Sequence, residues 1–166
     1  AVSIGYEKGV PMGGDLPKTT IASKPPVFMV GALKDSTGAN LDRIQIVKGW
    51  IDDAGTRHER IYDVAVADDR TIGPDGRCRE AVGNTVDVGD ASYLNNIGDA
   101  ELRAVWADPD FNPNQLAVYY ARVMEIPTPT WQAYDCKFFG IRMSDGVPMH
   151  HQERAYTSPI WYTPQD

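Results

Sequence analysis

Residues 116–140 read LAVYYARVMEIPTPTWQAYDCKFFG and join a clear strand pattern to a clear helix pattern. The first part, 116–126, is rich in β-branched and aromatic residues, and it is apolar at both alternating sets of positions. A strand that is apolar on both faces is usually central in its sheet and covered on both sides. We therefore predict a buried central strand over residues 116–126.

A short helix near residues 128–139 is predicted to follow this strand. Pro127 and Pro129 end the strand because proline has no N–H group to donate to a neighbouring strand. Thr128 before Pro129 is typical of an N-cap followed by proline at the first helical position. Gly140 supplies the left-handed residue that commonly ends a helix.

An aromatic stripe lies along one face of this predicted helix, and it consists of Trp131, Tyr134 and Phe138. We expect the aromatic stripe to fold back on the sheet and to contribute to the core. Emptying the Phe138 site would then destabilise the fold by about 3–5 kcal/mol. The arrangement is that of a scaffold, and it contains no obvious catalytic group.

The other strand patterns complete a mainly β domain. They lie at 27–33, 42–52, 57–67, 85–88, 100–107 and 155–162. Gly55 in a tight turn indicates a hairpin between the second and third of them, and Pro159 makes the last one an edge strand or a bulge. Because the chain has one helix pattern and no βαβ alternation, we predict an antiparallel β-sandwich of about seven strands with one short helix near 128–139.

Two regions are expected from the distribution of glycine and proline. Residues 1–26 are rich in both and predict an irregular N-terminal arm. Residues 27–166 predict a single β-sandwich domain, since a chain of 166 residues can bury a sizeable core. The chain begins without an initiator methionine, so we interpret it as a fragment of a longer protein.

A long polar segment, 68–90, interrupts the strand patterns. Its tip at 70–80 holds the turn sequence GPDG and almost no apolar residue, so we predict that the tip is mobile. The alternating residues of 82–88 are expected to be ordered against the sheet. The segment is either a tolerated insertion or a loop that reaches a neighbouring domain.

Charge and composition exclude some classes of partner. The net charge of −7 and the pI near 4.9 argue against nucleic acid and against an anionic membrane surface, because both attract basic proteins. The sequence contains no apolar run that approaches the roughly 18 residues of a spanning helix. Cys78 and Cys136 are expected to be free thiols. Compartment, oligomeric state and substrate cannot be inferred from these totals.

One segment predicts metal ligands. Asp108, Asp110 and Asn112 place oxygen atoms at every second position, and a hard cation such as Ca²⁺ prefers such oxygens. Pro113 stands where a calcium loop has its glycine, and Tyr119 stands where it has glutamate. The plainer interpretation is a proline-stiffened turn in which the side chains bond to nearby backbone N–H groups.

The sequence offers no catalytic or cofactor-binding residue. The HExxH, paired CxxC, GxSxG and Walker motifs are all missing from it. His150 and His151 are adjacent, and neighbouring side chains of an extended segment point in opposite directions. We interpret both as surface residues of a loop and do not expect them to share a metal ion.

Two charged residues, Arg122 and Glu125, lie within the most apolar run of the chain. A buried charge must be paired, so we expect a structural ion pair, with Arg43, Glu153 or Arg154 as candidate partners. A ligand or domain contact is the alternative use of these charges.

Tryptophan also admits two interpretations. Three of the four tryptophans stand at positions whose phase predicts the core, so we expect them to pack inside. A sugar-stacking platform is the alternative. The four are Trp50, Trp106, Trp131 and Trp161.

Several long segments together resemble one bacterial family, a domain of unknown function related to the polymerase-and-histidinol-phosphatase (PHP) group of metal-dependent hydrolases. The resemblance covers nearly the whole chain. The segments are GVPMGGDL (9–16), GANLDRIQIVKGW (38–50), YDVA (62–65), VGNTVDV (82–88), DPDF (108–111), YYARVMEIPTPTWQAYD (119–135) and QERAYTSPIWYTP (152–164).

The resemblance implies that this chain is the C-terminal part of a longer hydrolase. The metal motifs of the family, of the GDLHVHT and TDH type, belong to its N-terminal part and are absent from this sequence. A divalent metal is therefore expected in the missing N-terminal part, and no cofactor is expected in this chain. The missing part is also the expected partner.

We predict a non-catalytic C-terminal β-sandwich module that packs on the catalytic part of a PHP-like metal-dependent hydrolase and shapes its substrate cleft. The alternative is a small-ligand or carbohydrate-binding module. A self-sufficient enzyme would need an acid–base pair that the sequence does not supply. The expected partners include neither nucleic acid nor membrane.

Overall fold

A computed structural model describes residues 2–16 and 24–164 of the chain. Over these residues the chain forms nine strands and two helices, so the predicted mainly β fold is confirmed with about two more strands than expected. The elements are α1 (Val2–Lys8), β1 (Val27–Leu33), β2 (Leu41–Ile51), β3 (Arg57–Val66), β4 (Glu101–Ala107), β5 (Ala117–Glu125), β6 (Thr128–Pro129), α2 (Trp131–Phe139), β7 (His150–His151), β8 (Arg154–Tyr156) and β9 (Ile160–Tyr162).

A five-stranded antiparallel sheet forms the main layer. Its order is β3-β2-β5-β8, and β9 also pairs with β5. The predicted central position of β5 is confirmed, because this strand has β2 on one side and both β8 and β9 on the other. The predicted terminal strand is divided in two at 157–159, where Pro159 lies, and both pieces form the edge beside β5.

A two-stranded sheet of β1 and β4 covers one face of this layer. Phe28 and Leu102 point from it toward the larger sheet and are buried there. Ile44, Ile46 and Tyr119 meet them from β2 and β5. The core therefore lies between two packed antiparallel sheets, a sandwich-like arrangement.

The helix α2 differs from its prediction at the start. It begins at Trp131, and Thr130 is its N-cap residue. Thr128 and Pro129 instead form β6 and pair with β7, so the chain is still extended where the helix was expected. The end of the helix is confirmed, because Gly140 has the left-handed backbone conformation with φ 64°.

The predicted packing of the aromatic stripe is wrong. Trp131 is 65% exposed, Tyr134 is 49% exposed and Phe138 is 82% exposed. The helix buries Ala133 instead, which has no exposed surface. A small residue lets the helix backbone lie close to the domain, and the aromatic side then faces outward.

The N-terminal arm is less irregular than predicted. It contains α1, and after a turn its backbone runs beside β9. The N–H of Leu16 donates to the carbonyl of Trp161 at 2.8 Å, and the N–H of Trp161 donates to the carbonyl of Gly14 at 3.1 Å. Residues 17–23, which belong to the predicted arm, lie outside the described residues.

The tip of the segment 68–90 is fastened to the sheet by polar contacts. Arg70 is buried and pairs with Asp42 at 2.6 Å. The N–H of Cys78 donates to the carboxylate of Asp63 at 2.7 Å, and the N–H of Asp63 donates to the carbonyl of Gly76 at 2.8 Å. The tip was predicted to be mobile because it has almost no apolar residue to anchor it. That prediction did not consider these polar contacts, which attach the tip to the sheet. The predicted strand at 85–88 is replaced by a single bridge from Asp87 to Ser92.

Candidate functional site

The predicted metal ligands lie in the turn between β4 and β5. Asp108 is buried, and its Oδ2 lies 2.6 Å from Nζ of the buried Lys48. The hydroxyl of Tyr119 donates to the same oxygen at 2.8 Å. Oδ1 of Asp108 accepts the N–H of Asp110 at 2.9 Å. The carboxylate is therefore surrounded by donors from three directions.

Asp110 and Asn112 point to other partners. Oδ2 of Asp110 accepts the hydroxyl of Tyr62 at 2.5 Å and lies 2.6 Å from Nη1 of Arg60. The side-chain oxygen of Asn112 accepts the N–H of Asn114 at 3.0 Å. These contacts are those of the proline-stiffened turn, the plainer of the two interpretations.

Metal-binding geometry can be assessed for the described part of the chain. Within 2–16 and 24–164, no three His, Cys, Asp or Glu side chains stand close enough together to hold a metal ion. The calcium interpretation of Asp108, Asp110 and Asn112 stays a prediction. Mass spectrometry of the purified chain for bound calcium is its direct test.

The lysine–aspartate cluster, which we define as Lys48, Tyr62, Asp108, Asp110 and Tyr119, is held together by charge-assisted hydrogen bonds. Burial and the nearby Asp108 charge raise the pKa of Tyr119 well above its ordinary value. Burial and the bond to Asp110 raise the pKa of Tyr62 in the same way. Both hydroxyls therefore keep their protons at neutral pH and act as hydrogen-bond donors to the carboxylates of Asp108 and Asp110.

Sequence reasoning missed Lys48 as a member of this cluster. The residue shares the inward set of β2 with Ile44, Ile46 and Trp50, and it is almost completely buried. A lysine within an apolar set is the signal that could have found it, because a buried ammonium group requires a carboxylate. The identity of that carboxylate, 60 positions later in the chain, was not evident from spacing.

A second polar group lies on the opposite face of the large sheet. The amide nitrogen of Gln45 donates to Asp63 at 2.6 Å, and Nε of Arg122 donates to the amide oxygen of Gln45 at 2.8 Å. The predicted ion pair is therefore wrong, since neither Arg122 nor Glu125 pairs with Arg43, Glu153 or Arg154 within residues 2–16 and 24–164. Burial and the neighbouring Glu153 charge raise the pKa of Glu125.

The histidines that we predicted to be surface residues are indeed exposed. His150 and His151 form β7, and Nε2 of His151 lies 2.7 Å from the carboxylate of Glu153. The other histidine, His58, lies 2.8 Å from the carboxylate of Asp52. The cysteines are free, as predicted, and Cys78 is buried.

The tryptophans are separated rather than gathered into a platform. Trp50 and Trp106 are partly buried against the core, in agreement with their phase. Trp131 and Trp161 are exposed, so the core position expected for Trp131 is wrong.

Apolar side chains are exposed on two surfaces. The first is the aromatic stripe of α2 together with Phe139. The second is the outward face of the β1–β4 sheet, which presents Val27, Met29, Leu33 and Val105. Soluble domains rarely expose large contiguous apolar patches without an interaction that covers them.

Comparison with protein-family models matches residues 1–164 to the family described as "Protein of unknown function (DUF3604)". The chain belongs to the DUF3604 family. No curated protein and no solved structure shows significant similarity to this DUF3604 chain. Within its described residues, the structure contains no helix with the length and apolar character needed to span a membrane.

Proposed function

We propose that this DUF3604 chain is a non-catalytic β-sandwich module of a longer PHP-like metal-dependent hydrolase. The module packs on the catalytic part of the same protein and helps to shape its substrate cleft. The observation that carries this proposal is the exposure of the aromatic stripe along α2. The divalent metal belongs to the catalytic part, and the module itself supplies rigid surface.

The size of the exposed aromatic surface supports a packing role. A large aromatic side chain offers about 150–250 Å² when it is fully accessible. Three rings that are half to four-fifths exposed therefore present roughly 300–500 Å² on one side of a short helix. A patch of this size is typical of an interaction site, and aromatic residues are enriched where proteins pack together.

The resemblance described above supplies the choice of partner. Its segments resemble the C-terminal part of a PHP-like family, whose metal motifs are absent from this sequence. The buried carboxylate of Asp108 and the exposed carboxylate of Asp110 are engaged by a lysine, an arginine and two tyrosines. These contacts favour a structural use of the cluster and agree with a module that leaves catalysis to its neighbour.

Association in trans tests the proposal. The residues encoded before Ala1 in the source gene are produced as a separate polypeptide and mixed with this chain. We expect a complex by calorimetry or analytical ultracentrifugation, and we expect Phe138→Ser to weaken it at least tenfold. Tyr6→Ser is the matched control, because Tyr6 is an equally exposed aromatic residue on another helix. Absence of association, or metal-dependent phosphoester hydrolysis by this chain alone, would contradict the proposal.

One observation favours the alternative of a small-ligand or carbohydrate-binding module. A shallow depression of about 600 Å³ lies along α2. Tyr134, Phe138 and Phe139 line it together with Asp135 and Lys137, a combination of aromatic and polar groups that suits a sugar ring. Calorimetric titration with a panel of neutral oligosaccharides tests this alternative. A binding heat that Phe138→Ala abolishes would support it, and a panel without heat would reject it.

A further inference from the structure

Four side chains stand in one row across the face of the large sheet that points away from β1 and β4. Asp63 on β3 is the register partner of Gln45 on β2, and Gln45 is the partner of Arg122 on β5. Arg122 is in turn the partner of Tyr156 on β8. Directly opposed residues of antiparallel strands project from the same face, so the four are neighbours. We call this set the arginine row.

The arginine row fixes the orientation of the Arg122 guanidinium. A carboxylate can only accept hydrogen bonds, so Asp63 must face the NH₂ group of Gln45, which it contacts at 2.6 Å. The amide oxygen of Gln45 is thereby directed at Nε of Arg122, at 2.8 Å. Gln45 and Asp63 are both buried, which keeps the amide from turning. Arg122 is held through one donor.

The remaining donors of Arg122 are free to meet a ligand. Its Nη1 and Nη2 make no hydrogen bond to any residue in the described ranges, and the half-buried guanidinium forms no ion pair there. Arg154, two residues before Tyr156 on the same side of β8, also forms no ion pair within the described residues. A half-buried cation without a counter-ion is unusual unless an anion completes it.

The buried aspartates beside the row are already paired with other arginines. Asp63 contacts Nη1 of Arg43 at 3.4 Å and Nε of Arg77 at 3.3 Å. Arg43 also pairs with Asp42, which in turn pairs with Arg70. Asp42 and Asp63 are therefore matched by the arginines Arg43, Arg70 and Arg77, and neither carboxylate is left to neutralise Arg122.

Tyrosines flank the free guanidinium. Tyr156 is exposed, and its ring centre lies 6.3 Å from that of Tyr120. Arginine beside tyrosine at a surface is the composition of a protein interface hot spot. A sheet face encloses a free small anion poorly. The flat fork of a guanidinium matches the two oxygens of a carboxylate.

We propose that the arginine row is a docking site for an acidic protein segment, with an aspartate or glutamate carboxylate of that segment bound between Nη1 and Nη2 of Arg122. Arg154 adds a second positive charge, and Tyr120 and Tyr156 contact the apolar part of the segment. This site does not depend on the role of α2, since it lies on the large sheet.

Nuclear magnetic resonance of the isotope-labelled chain tests the proposal with three probes. Hexaglutamate supplies carboxylates on a peptide, hexaglutamine is the uncharged peptide control, and inorganic phosphate supplies a free anion. We expect saturable shifts of the β5 and β8 amide signals with hexaglutamate alone, weakened by added salt. Absence of shifts, equal shifts with hexaglutamine, or equal saturation by phosphate would overturn the proposal.

Three variants separate geometry from net charge. Arg122→Gln should weaken hexaglutamate binding at least fivefold. Arg122→Lys should weaken it similarly, because lysine keeps the charge and loses both the bond to Gln45 and the fork. Arg142→Gln removes the same charge from an exposed loop and should leave binding unchanged. Equal losses in Arg122→Gln and Arg142→Gln, or full binding by Arg122→Lys, would contradict the geometry proposed here.

Discussion

The buried charge of Lys48 is tolerated in this sheet because a carboxylate pairs with it. Lys48 lies within the apolar inward set of β2, and Asp108 meets it at 2.6 Å from the turn after β4. Both side chains are almost completely buried. Replacing Lys48 by methionine would leave a buried carboxylate without its cation. We expect Lys48→Met to lower the free energy of unfolding by about 3–5 kcal/mol in urea denaturation.

The double variant Lys48→Met/Asp108→Leu is the control for this prediction. Removing both charges together leaves no unpaired ion, so most of the lost stability should return. A double variant as unstable as Lys48→Met would show that lysine packing, rather than charge pairing, holds this site.

The contribution of Glu125 to folding stability is expected to change with pH in the direction opposite to that of most carboxylates. Burial and Glu153 raise its pKa in the folded chain, so folding favours the protonated form. Its contribution is complete below the unfolded pKa of a glutamate and is lost as pH rises through the folded pKa. Glu125→Gln should therefore raise the melting temperature at pH 7 and change it little at pH 4. An equal gain at both pH values would contradict a titration effect.

Residue roles of this kind are only partly visible in a sequence. Arg122 and Glu125 were recognised as charges in an apolar run, but their partners depend on strand register and on the order of strands in the sheet. Gln45 became the partner of Arg122 because β2 lies beside β5, a fact that residue spacing along the chain does not encode. The turn at 108–114 was located correctly, whereas Lys48 was seen only once β2 and the turn were brought together.

The elements were predicted with uneven success for a physical reason. Strand β4 alternates between polar and apolar residues, and β5 is a continuous run of β-branched and aromatic residues. Both patterns are long enough to locate the strand ends within about two residues. A helix of nine residues has fewer than three turns, so its pattern gives little evidence about which side is buried. Its aromatic residues share one side, and this is the pattern expected of a side that faces a core. The pattern is genuine, but that side of the helix stays exposed among the described residues.

Phe138 therefore has a different expected effect from the one its sequence pattern suggests. Because the side chain is 82% exposed, Phe138→Ala should change the free energy of unfolding by no more than about 0.5 kcal/mol. Phe28→Ala is the matched variant in the core, where the lost ring should lower stability by about 3–5 kcal/mol. Chemical denaturation of the two variants decides between them. A large loss in Phe138→Ala would place the aromatic stripe in the core after all.

The whole molecule is a sheet of five strands with unequal covering. The β1–β4 sheet protects one face, and the other face carries the arginine row, which includes the exposed Tyr156. The segment 68–90 does not float above this assembly, since it is bonded along the outer edge of β3. Because these bonds attach the segment to the domain, its length alone does not indicate that it is mobile.

Limited trypsin digestion distinguishes an attached tip from a mobile one. Arg77 and Arg79 offer cleavage sites in the tip, but the backbone there is bonded to β3 through Gly76 and Cys78. Arg142 lies in the segment after α2, where its side chain is 90% exposed. Within residues 27–164 we expect the first cut after Arg142, because cleavage requires backbone that can leave the fold. A first cut after Arg77 or Arg79, followed by mass spectrometry of the fragments, would show that the polar attachment of the tip opens more easily than its hydrogen bonds indicate.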